Sequence, residues 1–420
     1  MSHPRRAPLT ALAVVLLASA LALKSQYQPA VVSAAARPHT SSHYVFAWAG
    51  DSAQKASDFL AVIDVDPKSP RYASVVATLP VGEIGTGPHH TEHLMSPGGV
   101  LYVNGFRAGR TFMIDLKDPL HPKLNGAFGD LEGYSHPHSF VRLPNGNVMA
   151  TFQMRMDGNH ETTGGLVELR PDGTPIRSAS AADAAVDTAV RPYSVAILPK
   201  IDRMVSTAMD MHGTLYSRAI QIWRLSDLHL LHTVLLPPGP RGDENSWTAE
   251  PRVMPDGRTV VVNTFHCGMY HVSGIETKHP AAHWMRSSEW QEDQLCAIPV
   301  TTGHFWVQTL GAEHAVITLD ISDPLHPREV SRVSFGPNDV PHWIALEPNE
   351  HRILLTGYAG LTTRLMLLDF NPETGALAVD STFKEPGASV PGFSFARSTW
   401  PHGVSGTAIP HGAVFNLPAE

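Results

Sequence analysis

The feature that most constrains the fold of this 420-residue chain is a strand–turn–strand unit that recurs seven times. In "PHSFVRLPNGNVMATFQM" (137–154) two apolar runs flank an Asn-Gly turn, which is the strongest short-range signal for a β-hairpin. Related segments begin at residues 88, 192, 250, 296 and 341, and a weaker one begins at 401. Most are followed by a third run of strand-forming residues, and helical periodicity is almost absent.

Seven such units, each long enough for four antiparallel strands, predict an all-β fold, a seven-bladed β-propeller. The N-terminal strands that start at "YVFAWAG" (44–50) would complete the blade that begins at Pro401. This closure of the ring removes free sheet edges. Two packed β-sandwiches are the alternative, but they give no reason for a sevenfold repeat. We therefore expect a single propeller domain over residues 39–420.

The N-terminus has the pattern of an export signal. Arg5 and Arg6 precede an uncharged apolar run from Leu9 to Leu23, and small residues follow. The run is short for a transmembrane span, although an uncleaved anchor is an alternative. No later segment is apolar enough to cross a membrane. We expect residues 1–38 to be an export signal and leader, and the domain to be periplasmic or secreted.

Composition narrows the functional classes. A net charge of −8 and a sequence pI near 6.3 give no basic surface for nucleic acid. The chain contains 24 histidines, and imidazole is the commonest metal-binding side chain. The two cysteines, Cys267 and Cys296, could form a disulfide after export, bind a metal, or remain as buried thiols.

The inner strands of a propeller start at one mouth of its central channel, so equivalent positions in different blades converge on the axis. The first residues of the seven units are mostly histidines or other possible ligands: His89 and His90, His138, Tyr193, Glu250, Cys296, His342 and His402. Histidine at four of the seven starts predicts a metal site at this mouth. Nitrogen ligands favour copper, zinc, nickel or iron over calcium and magnesium.

Second strands end at the same mouth, which adds Asp210 and His266 to the candidate site. His266 could be a metal ligand, a residue that orients one, or a solvated loop histidine. Glu250 or Asp210 could accept a proton, and Glu250 could equally bind the metal or balance its charge. Any single inner-strand histidine could instead hold a loop by bonding to backbone.

The segment "DFLAVIDVDPKSPRY" (58–72), followed by "LPV" and the His89-His90 pair, resembles the N-terminal signature of the selenium-binding protein family. The similarity continues through "RTFMIDLKDPLHPKL" (110–124) and the hairpin at 137–152. This resemblance implies a propeller, a histidine-bound copper, and oxidation of methanethiol by O2 to formaldehyde, hydrogen sulfide and hydrogen peroxide. It places the copper at His89, His90 and His138, with looser matches at His342 and His402.

The chain departs from the family after the histidine pair, where "TEHLMSPGG" (91–99) replaces a Cys-Ser-Ser-Cys segment. Selenium binding through those cysteines therefore has no support. The leading interpretation is an exported oxidase that uses copper, or alternatively zinc, to act on a small thiol with O2. A non-catalytic metal- or thiol-binding propeller and a metal-dependent hydrolase are the alternatives.

Overall fold

A computed structural model describes residues 41–156, 162–186, 189–211, 217–292, 295–357 and 363–418. The predicted leader lies outside these residues. The predicted seven-bladed propeller is confirmed, because seven antiparallel sheets of at least four strands follow one another around an axis. Strands are numbered in chain order below, and each blade is given from its inner to its outer strand.

Three strands of the closing blade come first: Tyr44–Asp51 (β1), Ser57–Asp64 (β2) and Val75–Ile84 (β3). Blade 1 consists of Pro88–Thr91 (β4), Val100–Gly105 (β5), Arg110–Asp115 (β6) and Lys123–Phe128 (β7). Blade 2 consists of Tyr134–Arg142 (β8), Val148–Arg155 (β9), Gly165–Leu169 (β10) and Pro175–Ser180 (β11). Blade 3 consists of Pro192–Leu198 (β12), Arg203–Ala208 (β13), Ala219–Arg224 (β14) and His229–Leu235 (β15).

Blade 4 consists of Thr248–Val253 (β16), Val260–Thr264 (β17), Gly268–Ser273 (β18) and Ala281–Ser287 (β19). Blade 5 consists of Pro299–Thr302 (β20), Phe305–Leu310 (β21), Ala315–Asp320 (β22) and Arg328–Ser334 (β23). Blade 6 consists of Trp343–Leu346 (β24), Arg352–Thr356 (β25), Arg364–Phe370 (β26), Leu377–Val379 (β27) and the added strand Phe393–Ser394 (β28). The chain ends in a hairpin and the inner strand of blade 7: Thr399–Trp400 (β29), Gly403–Val404 (β30) and Ala408–Phe415 (β31).

The ring closes in blade 7, where β31 pairs antiparallel with β1, for example at Ala413 opposite Ala47. The prediction that this inner strand starts at Pro401 is wrong. The short hairpin β29–β30 occupies that segment, because only the longer apolar run of β31 can pair along β1. His402 therefore lies in the turn of the hairpin and not on the inner strand.

Apolar side chains fill the spaces between neighbouring blades. Phe46 and Trp48 of blade 7, for example, pack against Leu101 and Val103 of blade 1. Alternate residues of each strand point to its two faces, so every blade contributes to the clusters on both of its sides. This packing fixes the inner strands, and with them the side chains on the axis.

Helical structure within the described ranges is limited to two 3-10 turns, Phe106–Ala108 and Pro199–Ile201. In that part of the chain no helix has the length and hydrophobicity needed to cross a membrane.

The two cysteines form a disulfide. Cys267, in the turn after β17, is bonded to Cys296, which precedes β20. Both side chains are buried in the cluster between blades 4 and 5. The bond therefore links two neighbouring blades, from the turn between the second and third strands of blade 4 to the residues just before the inner strand of blade 5.

Candidate metal centre

Five imidazoles meet on the propeller axis, and we call them the histidine cluster. They are contributed by three inner strands and by the residue before a fourth: His89, His90, His138, His342 and His411. The rings of His89 and His90 stack with centroids 4.3 Å apart, and that of His411 lies 4.3 Å from His89. His138 lies 4.4 Å from His90, and His342 stacks on His411 at 4.7 Å.

β-Bulges place these side chains. Neighbouring residues of a regular strand point to opposite faces, which would separate His89 from His90. The pairing of β4 with β5 shifts register between Pro88 and Thr91, so that an extra residue sits on β4. The same kind of shift occurs at His138 in β8 and beside His411 in β31.

Hydrogen bonds orient two of the imidazoles. The Nδ1 atom of His138 donates to the Tyr193 carbonyl oxygen at 2.8 Å, which leaves Nε2 with a lone pair. The Nδ1 atom of His90 lies 3.1 Å from the Ser139 hydroxyl, and its Nε2 lies 3.0 Å from the Tyr193 hydroxyl. A backbone or hydroxyl partner on one ring nitrogen is typical of histidines that bind a metal through the other.

Two buried ring nitrogens of the cluster are available to bind a metal ion. Among the described residues, neither Nδ1 of His89 nor Nε2 of His138 has a hydrogen-bond partner, and both atoms are buried. Leaving such an atom unsatisfied costs about 1–3 kcal/mol. His89, His90 and His138 each offer one nitrogen within 4.8 Å of the others. These residues fit a metal ion.

Burial keeps the cluster uncharged. It lowers the pKa of His138 and of His342 to about 4. The pKa values of His89, His90 and His411 lie well below the usual value, through burial first and neighbouring imidazoles second. Neutral imidazole is the form that binds a metal, so the cluster is ready to do so at neutral pH.

This burial predicts acid sensitivity of the metal-free protein. Burial lowers the pKa of His138 and His342 from the ordinary value of about 6.5, which holds in the unfolded chain, to about 4 in the folded one. Between these values the unfolded chain binds more protons, so the free energy of unfolding should fall as pH falls, by up to about 1.4 kcal/mol per pH unit for each histidine. Urea unfolding of chelator-treated protein at about pH 7.5 and about pH 5 measures it.

One variant tests the origin of this pH dependence. His138→Asn should reduce the fall of the unfolding free energy between the two pH values by the contribution of one histidine. An unfolding free energy that is equal at the two pH values would contradict the neutral state of the cluster.

A charged group lies next to the cluster. The Glu250 carboxylate is fully buried, and its Oε2 atom accepts hydrogen bonds from Ser194 Oγ at 2.8 Å and Arg252 Nη1 at 2.7 Å. The same oxygen lies 3.4 Å from Nε2 of His93. Burial alone would raise the pKa of Glu250, but Arg252 and His93 lower it to about 2. The carboxylate is therefore ionised at neutral pH.

His93 connects this carboxylate to the cluster. Its ring stacks on Trp343 at 4.9 Å and lies 6.3 Å, edge to face, from the ring of His90. Burial lowers the pKa of His93, and the charge of Glu250 opposes that shift. A neutral imidazole paired with an ionised carboxylate can accept a proton and be stabilised as a cation.

The model of the 56 kDa selenium-binding protein family matches residues 25–236 of the chain. The chain belongs to this family. A methanethiol oxidase of Hyphomicrobium is 40% identical over 91 residues, which are 21% of this chain and 20% of the oxidase. Selenium-binding protein 2 of Arabidopsis thaliana is 30% identical over 151 residues, 32% of this chain and 31% of that protein. The matched segments thus span less than a third of the length of either protein.

Among solved structures, a hypothetical selenium-binding protein from Sulfolobus tokodaii superimposes with a TM-score of 0.71. The match covers 89% of this chain and 93% of that protein, at 19% sequence identity. At this identity the likeness shows the fold alone.

In this chain, four of the six histidines predicted as metal ligands come together: His89, His90, His138 and His342. The other two lie elsewhere. His402 packs against Phe59, and its Nδ1 lies 2.8 Å from the hydroxyl of Thr78 in the outer strand β3. His266 stacks on Trp290 at 4.1 Å.

The two candidate proton acceptors differ in their surroundings. Glu250 lies beside His93 as described, whereas Asp210 forms a fully buried ion pair with Arg191, with 2.5 Å between Oδ1 and Nη1. Asp210 thereby neutralises a buried guanidinium, which is a structural role.

Sequence reasoning missed His411 and gave no role to His93. A signal for His411 was present, because Pro-His dipeptides mark the inner strands at residues 88, 137 and 341, and another occurs at Pro410-His411. His93 was visible as a third histidine near the pair but was not at a strand start.

Proposed function

We propose that this member of the family is an exported, copper-dependent oxidase that acts on a small thiol with O2. The observation that carries the proposal is the histidine cluster itself, five buried and neutral imidazoles on the axis of the propeller. The comparisons also support the proposal, because similar proteins from Hyphomicrobium and mouse are named methanethiol oxidase.

Four imidazoles would hold the metal: those of His89, His90, His138 and His411. The ring of His342 would pack against His411 without binding the metal. A donor set of imidazole nitrogens suits copper, with zinc as the alternative, and does not suit calcium or magnesium. Bound copper would supply one-electron chemistry towards O2 and an anchor for a thiolate sulfur. The neutral state of the imidazoles allows binding without prior loss of protons from them.

His93 and Glu250 would take part in removing the proton from the thiol substrate. A thiol must lose its proton to become the nucleophilic and metal-binding form. The neutral His93 would accept the proton, and the ionised Glu250 beside it would stabilise the resulting imidazolium. Arg252 and Ser194 hold the carboxylate in place.

Aromatic rings confine the space around the cluster. Phe106 lies 5.7 Å from His89 and 5.5 Å from His138, and Trp343 lies 5.0 Å from His90. Such a crowded apolar wall favours a small substrate over a bulky one. It also excludes bulk water from the reacting groups.

Export is part of the proposal. It rests on the leader-like sequence of residues 1–38 and is supported by the disulfide between Cys267 and Cys296, because disulfides persist in oxidising compartments. Fractionation of cells that express the full chain, with N-terminal sequencing of the product, tests it. Intact chain in the cytoplasm would contradict it.

Metal analysis with EPR tests the copper site. Copper-reconstituted protein should hold about one tightly bound copper with nitrogen hyperfine structure, and a His89→Ala/His90→Ala variant should lose both. Oxygen uptake with methanethiol should follow the copper content. Zinc retained in preference to copper would favour a hydrolase, and bound copper without oxygen uptake would favour a binding protein.

A further inference from the structure

The phenol of Tyr193 lies at the histidine cluster without a role in the proposal above. The side chain is 1% exposed, and its hydroxyl oxygen lies 3.0 Å from Nε2 of His90. Its ring lies 4.1 Å from that of His138, and its backbone carbonyl accepts the hydrogen bond from Nδ1 of His138. One residue thus touches two of the candidate ligands with two different groups.

The position of Tyr193 has the same origin as that of the histidines. The pairing of β12 with β13 shifts register between Pro192 and Val195, so Tyr193 sits in a bulge at the start of an inner strand. The equivalent bulges of β4 and β8 carry His89, His90 and His138. Tyr193 follows a proline at its inner strand, as His89, His138, His342 and His411 do in four other blades.

The hydrogen bonds indicate which nitrogens face a metal. His138 uses Nδ1 for the Tyr193 carbonyl, and His90 has Nδ1 next to Ser139, so each would bind a metal through Nε2. For His90 that atom is the partner of the phenol. A metal ion on Nε2 of His90 would replace this hydrogen bond and meet the phenol oxygen.

Charge favours an anionic ligand at this place. The imidazoles of the cluster are neutral, so a divalent ion among them brings two positive charges into a buried site. The nearby carboxylate of Glu250 is already paired with Arg252.

We propose that Tyr193 is an oxygen ligand of the copper at the histidine cluster, bound as the phenolate. The O–H proton is released to solvent as the oxygen binds the ion, and no electron is transferred in this step. The inference rests on the proposed function in one respect, that the cluster takes up copper.

Absorption spectroscopy on the protein loaded with Cu(II) alone tests this ligand. A phenolate gives a strong charge-transfer band in the visible range, which imidazole ligands do not. The two cysteines are joined in the disulfide, so no described thiolate can produce such a band. We expect the band in the wild type, and we expect light absorbed in it to enhance tyrosine ring vibrations in the Raman spectrum.

Tyr193→Phe keeps the ring on His138 and the backbone carbonyl, and removes only the oxygen. It should abolish the band and weaken Cu(II) binding about tenfold or more. The matched control is Tyr102→Phe, which alters another buried phenol, in β5 of blade 1, whose hydroxyl donates to the carbonyl of Arg170 after β10 of blade 2. That variant should keep both the band and the affinity.

The outcomes separate this inference from the proposed function. Copper bound with nitrogen hyperfine structure, but without a band that Tyr193→Phe removes, would overturn the phenolate ligand and leave the copper site standing. Failure of the wild type to take up copper would overturn both. A band lost equally in Tyr102→Phe would also refute the assignment to Tyr193.

Discussion

Replacement of His411 by alanine is expected to lower the affinity for Cu(II) by about 100-fold, and oxygen uptake with methanethiol at limiting copper should fall in proportion. His411 is fully buried, and its ring lies against those of His89 and His342. Its loss would remove one of the four proposed ligands and leave a gap beside His89 and His342. Competition titration of copper against a chelator measures the change.

His402→Ala is the matched control, because both histidines follow a proline in the last 20 residues of the sequence. His402 contacts Thr78 and Phe59 at the side of blade 7, so its removal should leave the copper affinity unaltered. Equal losses in the two variants would contradict the assignment of the cluster, and a loss in His402→Ala alone would reverse it.

These two histidines show which parts of the site could be predicted from the sequence and which could not. The hairpin units are local signals, and they correctly predicted the propeller. The unit starts also led to His89, His90, His138 and His342. In a propeller the equivalent residues of different blades lie next to one another at the axis. Their proximity can therefore be inferred from the repeat alone, without knowledge of any distance.

The seventh blade shows where this reasoning stops. Both Pro401-His402 and Pro410-His411 resemble a strand start, and the choice between them depends on pairing with β1, at the other end of the domain. Such a long-range pairing is not encoded in either dipeptide. The bulges that turn His89 and His90 towards the same channel are equally hidden, because they arise from the register of two strands.

The role of Glu250 was left open among proton acceptor, ligand and counter-charge, and its partners now narrow the choice. The carboxylate shares Oε2 among Ser194, Arg252 and His93. Burial alone would raise its pKa, but Arg252 and His93 outweigh burial, so it is ionised. An acid this strong is a poor base at neutral pH, so its effect on proton transfer should pass through His93.

Glu250→Gln is therefore expected to lower kcat for thiol oxidation by about 100-fold while copper remains bound. The amide preserves the shape of the side chain but cannot stabilise a protonated His93. It also leaves Arg252 without its charged partner, so the unfolding midpoint in urea should be measured together with kcat. Copper content determined on the same sample shows whether the cluster is intact.

Asp210→Asn provides the control for a buried carboxylate that lies outside the proton path. Its loss leaves the fully buried Arg191 unpaired, which should cost about 3–5 kcal/mol of unfolding free energy. The kcat per bound copper should nevertheless stay close to that of the wild type. A Glu250→Gln protein that turns over like the wild type would show that His93 accepts the proton unaided. A kcat loss in Asp210→Asn as large as that in Glu250→Gln would mean that both carboxylates act only by supporting the fold.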